Sequence, residues 1–277
     1  GRIERKPFEK MLANLLKSDT DQRARIRGLD DGRKDQIIAG AVLVDEVFER
    51  LKLKRINLCG SALREGILLD YLSRHLPDLA IRREVPDPRR RSVIDLARRC
   101  NWHKTHSEHV ARLTMRLFDE LRPLHGLGEI ERELIEYAAL LHDIGWHIAA
   151  KGHHKHSMYL ILHGDLKNFT REEIGIIANI ARYHRKTEPA RHHERFMELG
   201  EVSRKVVEIG GGLLRIADGL DRSHASVITD LRCKLEKKRV RVQLTSRADA
   251  ELEMWGAARK RQLLEKAIGR KFAVEMR

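Results

Sequence analysis

The sequence predicts a mainly α-helical protein, and three observations carry that prediction. Aromatic residues make up 5% of the 277, against 42% hydrophobic and 35% charged, a balance that suits amphipathic helices better than a β-sandwich. Beyond residue 92 or so, apolar residues recur at helical spacing for over a hundred positions. Period-2 alternation is confined to short runs near the C-terminus.

From the N-terminus, Asp35 to Leu51 sets Ile37, Ile38, Ala41, Val44, Val47 and Phe48 at helical spacing. Arg55 to Gly60 reads as a short buried strand, followed by a helix through Tyr71 and Leu72. The stretch His75–Ser92 carries three of the six prolines and ends in arginines, so it reads as a linker. Thr105-x-x-Glu108 and Thr170-x-x-Glu173 have the form of capping boxes opening two helices. Val110, Leu113, Leu117 and Leu121 form one buried stripe, and Leu134, Ala138 and Leu141 another. Further helices are expected from Arg171 to about His184 and from about Arg204 to Leu220. Val227–Leu235, Arg239–Leu244 and Lys271–Met276 read as strands around a helix from about Ala250 to Ile268, a small antiparallel α+β appendix. The expected organisation is 1–85, 86–226 and 227–277.

Several classes are disfavoured by the bulk properties. Cys59, Cys100 and Cys233 are odd in number and far apart, which suggests neither a disulfide framework nor a zinc knuckle and points to a reducing cytoplasm. The best apolar run, Ile37–Val44, stops at Asp45, so no membrane span is expected. The opening GRIERKPFEK lacks a signal-peptide core, an initiator Met and an evident first strand, and reads as a start inside a longer gene product. A formal net charge of +14 favours polyanions such as nucleotides, polyphosphate, nucleic acid or anionic lipid. No recognition motif accompanies the charge, so specific nucleic-acid binding is not expected.

Histidine placement carries the chemistry: thirteen of fifteen fall between His103 and His193. Imidazoles suit borderline transition metals and carboxylates complete such sites. The ordered set is His106, His142-Asp143, His156, His184 and Asp218. His142 and Asp143 diverge by about 100° on a helix and can bracket one ion. Asp218 lies in the apolar helix LLRIADGLDRSH, where a carboxylate needs a metal or an arginine such as Arg215 or Arg222; Asp221 competes with it locally as a partner of Arg222. His103, His109, His147, His153 and His154 read as surface, supporting or packing residues. The His192-His193 pair has no assigned role. Lys151, Lys155, Arg182, Arg185 and Lys186 can hold phosphate oxygens or form a solvated basic face. Trp102, Trp146 and Trp255 read as core or boundary packing, and Ile209-Gly-Gly-Gly212 as a helix-junction cluster rather than a phosphate loop.

The H…HD…D order of His106, His142-Asp143 and Asp218 resembles the signature of the HD superfamily of metal phosphohydrolases. HVARLTMRLFDEL, AALLHDIGWHI, GHHKHSMYLI, IANIARYHRK and LLRIADGLDRSH resemble the C-terminal HD-like domain of the exopolyphosphatase/guanosine pentaphosphate phosphatase (Ppx/GppA) family. GLDDGRKDQIIAGAVLVDEVFERL through CGSALREGILLDYL resembles the end of that family's second actin-like domain, with Arg64 and Glu65 near its cleft. The resemblance therefore implies an HD-type helical bundle, preceded by the end of an actin-like α/β domain and followed by the α+β appendix. It departs from the family in lacking the glycine-rich phosphate loops and catalytic glutamate of the N-terminal half.

The resemblance implies metal-assisted hydrolysis of phosphoanhydrides or phosphoesters in a polyphosphate or nucleotide context. His106, His142, Asp143 and Asp218 would hold a divalent ion (Mn, Fe, Mg, Ni or Zn), and His156 and His184 a second ion or the phosphate. Asp143, His109 and His147 are the catalytic candidates, the two histidines as alternative proton donors. Lys151, Lys155 and Arg185 would bind substrate. The competing expectation is a non-catalytic polyanion-binding module that forms a homodimer, as the family does.

Overall fold

The computed structural model describes residues 1–26, 28–29, 31–60, 62–75, 85 and 87–277, with backbone alone at 24, 31 and 72–75. The chain divides into two compact units, residues 1–71 and 72–277.

In the first unit, β1 (Arg2–Glu4) precedes α1 (Arg5–Lys17), α2 (Thr20–Ala24), α3 (Ile37–Arg50), β2 (Arg55–Asn57) and α4 (Leu63–His75). A first strand does exist. Its partner lies fifty residues on, beyond the reach of a local pattern: Ile3 faces Ile56 in an antiparallel pair. Residue 56 is half-buried between exposed neighbours, so β2 is not the buried strand expected. Phe8, Leu12 and Leu15 of α1 close on Ala41 and Phe48 of α3, with the two phenylalanine rings 5.4 Å apart.

The second unit is a helical bundle with a small sheet. Its helices are α5 (Pro88–Arg99), α6 (Lys104–His125), α7 (Glu129–Leu141), α8 (His153–His163), α9 (Arg171–Arg182), the short α10 (Glu194–Met197) and α11 (Glu201–Gly219). The linker expected over His75–Ser92 lies partly outside the described residues. From Pro88 on it is helix, because Asp87 accepts from the Arg89 and Arg90 amides and Pro88 fits the first turn. The arginines there are structural: Arg89 pairs with Glu133 and Glu173, and Arg90 with Glu136.

The Thr170 capping box forms, with the Glu173 amide donating to Thr170 Oγ1 and the Thr170 amide to Glu173 Oε2. The Thr105 box does not, since α6 already begins at Lys104 behind His103 and Thr105 sits inside the first turn. Both predicted stripes are buried: Val110, Leu113, Leu117 and Leu121 on α6, and Leu134, Ala138 and Leu141 on α7. α11 buries residues around most of its circumference, as a central helix must. Among the described residues no helix is long and apolar enough to cross a membrane.

The appendix comprises β3 (Ile228–Leu235), β4 (Arg239–Ser246), α12 (Glu251–Lys260), α13 (Gln262–Ile268) and β5 (Lys271–Met276). β3 and β4 are antiparallel, as expected. β5 instead runs parallel to β4, because the intervening helices carry the chain back to the starting end of that strand. The outer edge of β3 is covered by α6: Arg112 donates to the carbonyls of Ile228 and Thr229, Arg116 to Leu231, and Glu120 accepts from the Cys233 amide. An edge satisfied by side chains is not free for another strand.

The Gly210–Gly212 cluster lies inside α11 rather than at a helix junction. A Cβ on Gly212 would meet the backbone of Leu264 at 2.8 Å, whereas one on Gly211 would meet only Leu263 Cδ2 at 3.5 Å and Tyr183 Cβ at 3.7 Å. Gly212→Ala should therefore destabilise by about 1–3 kcal/mol through overpacking. Gly211→Ala should gain up to about 1 kcal/mol of helix propensity. Denaturation midpoints of the two variants should move in opposite directions.

Candidate metal centre

The sequence Leu-Leu-His-Asp ends α7 and leaves the helix at once. His142 is the last residue with helical angles, and Asp143 (φ −108°, ψ 4°) turns the chain into a 3-10 turn, Ile144–His147. The two side chains therefore diverge toward a common space. The turn is fixed from α8: Ser157 Oγ donates to the His142 carbonyl at 2.6 Å and accepts from the Gly145 amide at 2.9 Å. Gly145 is required there, since a Cβ would lie 2.0 Å from the His153 carbonyl oxygen.

Two groups of ligand-type atoms share Asp143: His106 with His142, and His153 with His184. His106 Nε2 lies 3.9 Å from Asp143 Oδ2 and 3.7 Å from Asp218 Oδ1, and His142 Nε2 lies 3.7 and 3.9 Å from the same two atoms. Asp143 Oδ1 faces His153 Nε2 at 3.2 Å and His184 Nε2 at 3.5 Å. His106, His142, His153 and His184 are all buried. Among the described residues, His106 Nε2, His142 Nε2 and Asp143 Oδ1 have no hydrogen-bond partner.

Each imidazole is oriented through its other nitrogen. His106 Nδ1 donates to Asp221 Oδ2 at 2.7 Å, His142 Nδ1 to the Ala139 carbonyl at 2.7 Å, and His184 Nδ1 to the Ala181 carbonyl at 2.7 Å. That arrangement directs each Nε2 inward, as metal-binding histidines require. His106 Nε2 and His142 Nε2, buried, partnerless and both facing the Asp143 and Asp218 carboxylates, are costly unless a cation completes them, so the donor set fits a divalent ion.

The sequence-predicted residues His106, His142, Asp143, His184 and Asp218 are brought together. His156 is half-buried and belongs to neither group; His153, read as a supporting or packing residue, takes the place beside Asp143 instead. The three histidines of GHHKHS could not be ranked from sequence without knowing that α8 begins at His153.

Asp221 pairs not with Arg222 but with His106 and the Ser226 amide. The partner of Asp218 is neither Arg215, which donates to the carbonyls of Tyr183, Lys186 and Thr187, nor Arg222, but Lys260 at the end of α12. His109 is buried one turn along α6, and its Nε2 has no partner among the described residues. His147, Lys151 and Lys155 are exposed, and Arg185 is half-buried. Trp146 is 49% exposed rather than core, and stacks on His153 at 4.8 Å. Trp255 is 51% exposed, and Trp102 packs at the core boundary.

Burial by itself would lower the His106 pKa, but the facing carboxylates of Asp218, Asp221 and Asp143 outweigh it and raise the value to about 9. Burial pushes His184 down to about 3. Burial, followed by the charges of Arg182, His153, Arg185 and Lys155, pushes His154 down to about 4. The folded state therefore binds fewer protons at His154 and His184 than the unfolded state below pH 6.5, and more at His106 above it. Stability from the first two is present above 6.5 and lost as pH falls toward 4. Stability from His106 is present below 6.5 and lost as pH rises through about 9. Thermal midpoints of chelator-treated protein should peak near neutrality, with His154→Asn flattening the acid limb and His106→Asn the alkaline limb.

Two family models match the chain: Ppx/GppA phosphatase, domain III, over residues 89–267, and Ppx/GppA phosphatase family over residues 1–75. Among curated proteins it is similar to "Guanosine-5'-triphosphate,3'-diphosphate pyrophosphatase" of Pseudoalteromonas translucida, 30% identical over 57% of this chain and 30% of that protein. The proteins of the same name from Vibrio vulnificus (29% identity, 67% and 35% coverage) and Aeromonas hydrophila (27%, 61% and 33%) match likewise. The chain thus spans about a third of the length of the curated relatives it matches. With the domain III model covering most of the helical unit and the family model the N-terminal one, this chain belongs to the Ppx/GppA phosphatase family.

Proposed function

We propose that the helical unit is an HD-type, metal-assisted phosphohydrolase acting on phosphoanhydride or phosphoester bonds of a nucleotide or polyphosphate. The observation that carries this reading is the convergence of two buried, partnerless imidazole nitrogens, His106 Nε2 and His142 Nε2, on the Asp143 and Asp218 carboxylates. A divalent ion such as Mn, Fe, Mg, Ni or Zn, when bound there, supplies Lewis-acid charge and activates water for attack on phosphorus. The chain's own groups do the rest. Asp221 holds the His106 ring in register, and Ser157 holds the turn that presents Asp143. Lys151 just before α8 and Lys155 in its first turn neutralise the substrate's phosphate tail, together with Arg185. His109 and His147 are the two candidates for the proton that the leaving oxygen takes up. The names of the relatives favour a guanosine polyphosphate as the nucleotide.

A second reading has its own support. The chain spans about a third of its relatives and carries a net charge of +14. In that reading it is a polyanion-binding, dimer-forming module of a longer phosphatase.

Metal analysis and Mn-dependent hydrolysis of generic nucleotides and phosphodiesters separate the two. Ion binding should be lost in His142→Ala, and hydrolysis in Asp143→Ala. A metal-free protein that binds polyphosphate but hydrolyses nothing would leave only the second reading. Asp221→Asn should weaken ion affinity roughly 10–100-fold while leaving the fold intact, because only the orientation of His106 is lost.

A further inference from the structure

Trp146 belongs to the site by position, yet hydrolysis gives it no task. It sits in the 3-10 turn directly after His142-Asp143, where Ile144 and Gly145 are buried and Trp146 and His147 are left outside. The turn is fixed: the Trp146 amide donates to the Asp143 carbonyl at 3.1 Å, and the Gly145 amide to Ser157 Oγ at 2.9 Å.

The indole lies nearly flat on His153, with 4.8 Å between ring centres and 20° between planes. His153 is in turn nearly parallel to His184, at 5.5 Å and 16°. Exposure rises along this series, from 1% at His184 and 2% at His153 to 49% at Trp146. Half exposure is what an indole keeps when a ring covers one of its faces and nothing covers the other. Among the described residues no second ring and no cation stacks on Trp146.

An exposed apolar side chain by itself needs no explanation. The place of this one does. His153 Nε2 lies 3.2 Å from Asp143 Oδ1, so the indole is one ring removed from the carboxylate shared by both ligand groups. Lys151 and Lys155, from the same short segment, are exposed and form no ion pair among the described residues. Charge suited to phosphate and a flat apolar face thus come from one stretch of chain, and a nucleotide carries the matching pair of surfaces.

We propose that the open face of Trp146 is a stacking platform for the base of a nucleotide whose phosphates lie at the Asp143 site, and that it favours nucleotides over inorganic polyphosphate. This rests on the metal phosphohydrolase reading above and narrows its substrate class. Stacking uses the π-face, which every base has, so the platform separates nucleotide from bare phosphate chain rather than one base from another. An indole already braced by a buried ring has little freedom left to lose when a base arrives.

The test compares two hydrolysis-resistant probes on the full chain loaded with Mn, by titration calorimetry. One is methylenediphosphonate; the other, guanosine 5′-(α,β-methylene)diphosphate, adds the nucleoside. The wild type should bind the guanosine probe more tightly. Trp146→Ala should weaken that probe roughly 10–100-fold and leave methylenediphosphonate within about twofold, while Trp146→Phe keeps most of the difference. Equal weakening of both probes would make Trp146 only a cover over His153 and overturn the proposal, as would a wild type that gains nothing from the nucleoside. Should Trp146→Ala not fold, fluorescence in a Trp255→Phe background decides: the guanosine probe should quench it and methylenediphosphonate should not, and no quenching overturns the proposal. Absence of Mn from the wild type would instead overturn the metal reading, and the contrast between probes, read on metal-free protein, then decides the platform by itself.

Discussion

The organising constraint in the helical unit is the carboxylate of Asp143, 12% exposed and surrounded by imidazole nitrogens. A carboxylate taken out of water costs several kcal/mol unless positive charge and hydrogen bonds replace its hydration. Most of the local architecture supplies that replacement. α6 delivers His106, the end of α7 delivers His142, α8 delivers His153 and the turn after α9 delivers His184, each ring braced through Nδ1. The break of α7 at Asp143 and the close seat of Gly145 against α8 make the convergence possible, because a continued helix would carry Asp143 away from His142.

The appendix is tied to this constraint. Lys260, from the helix that follows the β3–β4 hairpin, compensates Asp218, and the hairpin's outer edge is fastened to α6 by Arg112 and Arg116. Glu253 of α12, buried, accepts from the Ser223 amide in the loop that carries Asp221. The C-terminal segment therefore helps to hold the charged groups of the bundle in place.

Much of this was legible in the sequence. Helical periodicity marked the buried stripes of α6 and α7 and placed α9 and α11 to within a few residues. Histidine clustering and the H…HD…D order pointed to residues that the fold brings together, His106, His142, Asp143, His184 and Asp218. What escaped was set by three-dimensional neighbours. Lys260 lies forty-two residues beyond its partner Asp218. The choice of His153 over His156 turns on where α8 begins, a boundary that composition does not specify. β1 needed a partner fifty residues away, and the parallel pairing of β5 depends on the path of α12 and α13 rather than on its own alternation. Trp146 was read as packing because tryptophan usually is, yet its place beside His153 leaves half of it in solvent.

The central claim is that His106, His142, Asp143 and Asp218 form one cation site. Anomalous diffraction from crystals of the chain grown with Mn tests it most directly. The account predicts a strong peak between His106 Nε2, His142 Nε2 and the Asp143 and Asp218 carboxylates. An absent peak, or one confined to the His153–His184 side, would contradict it.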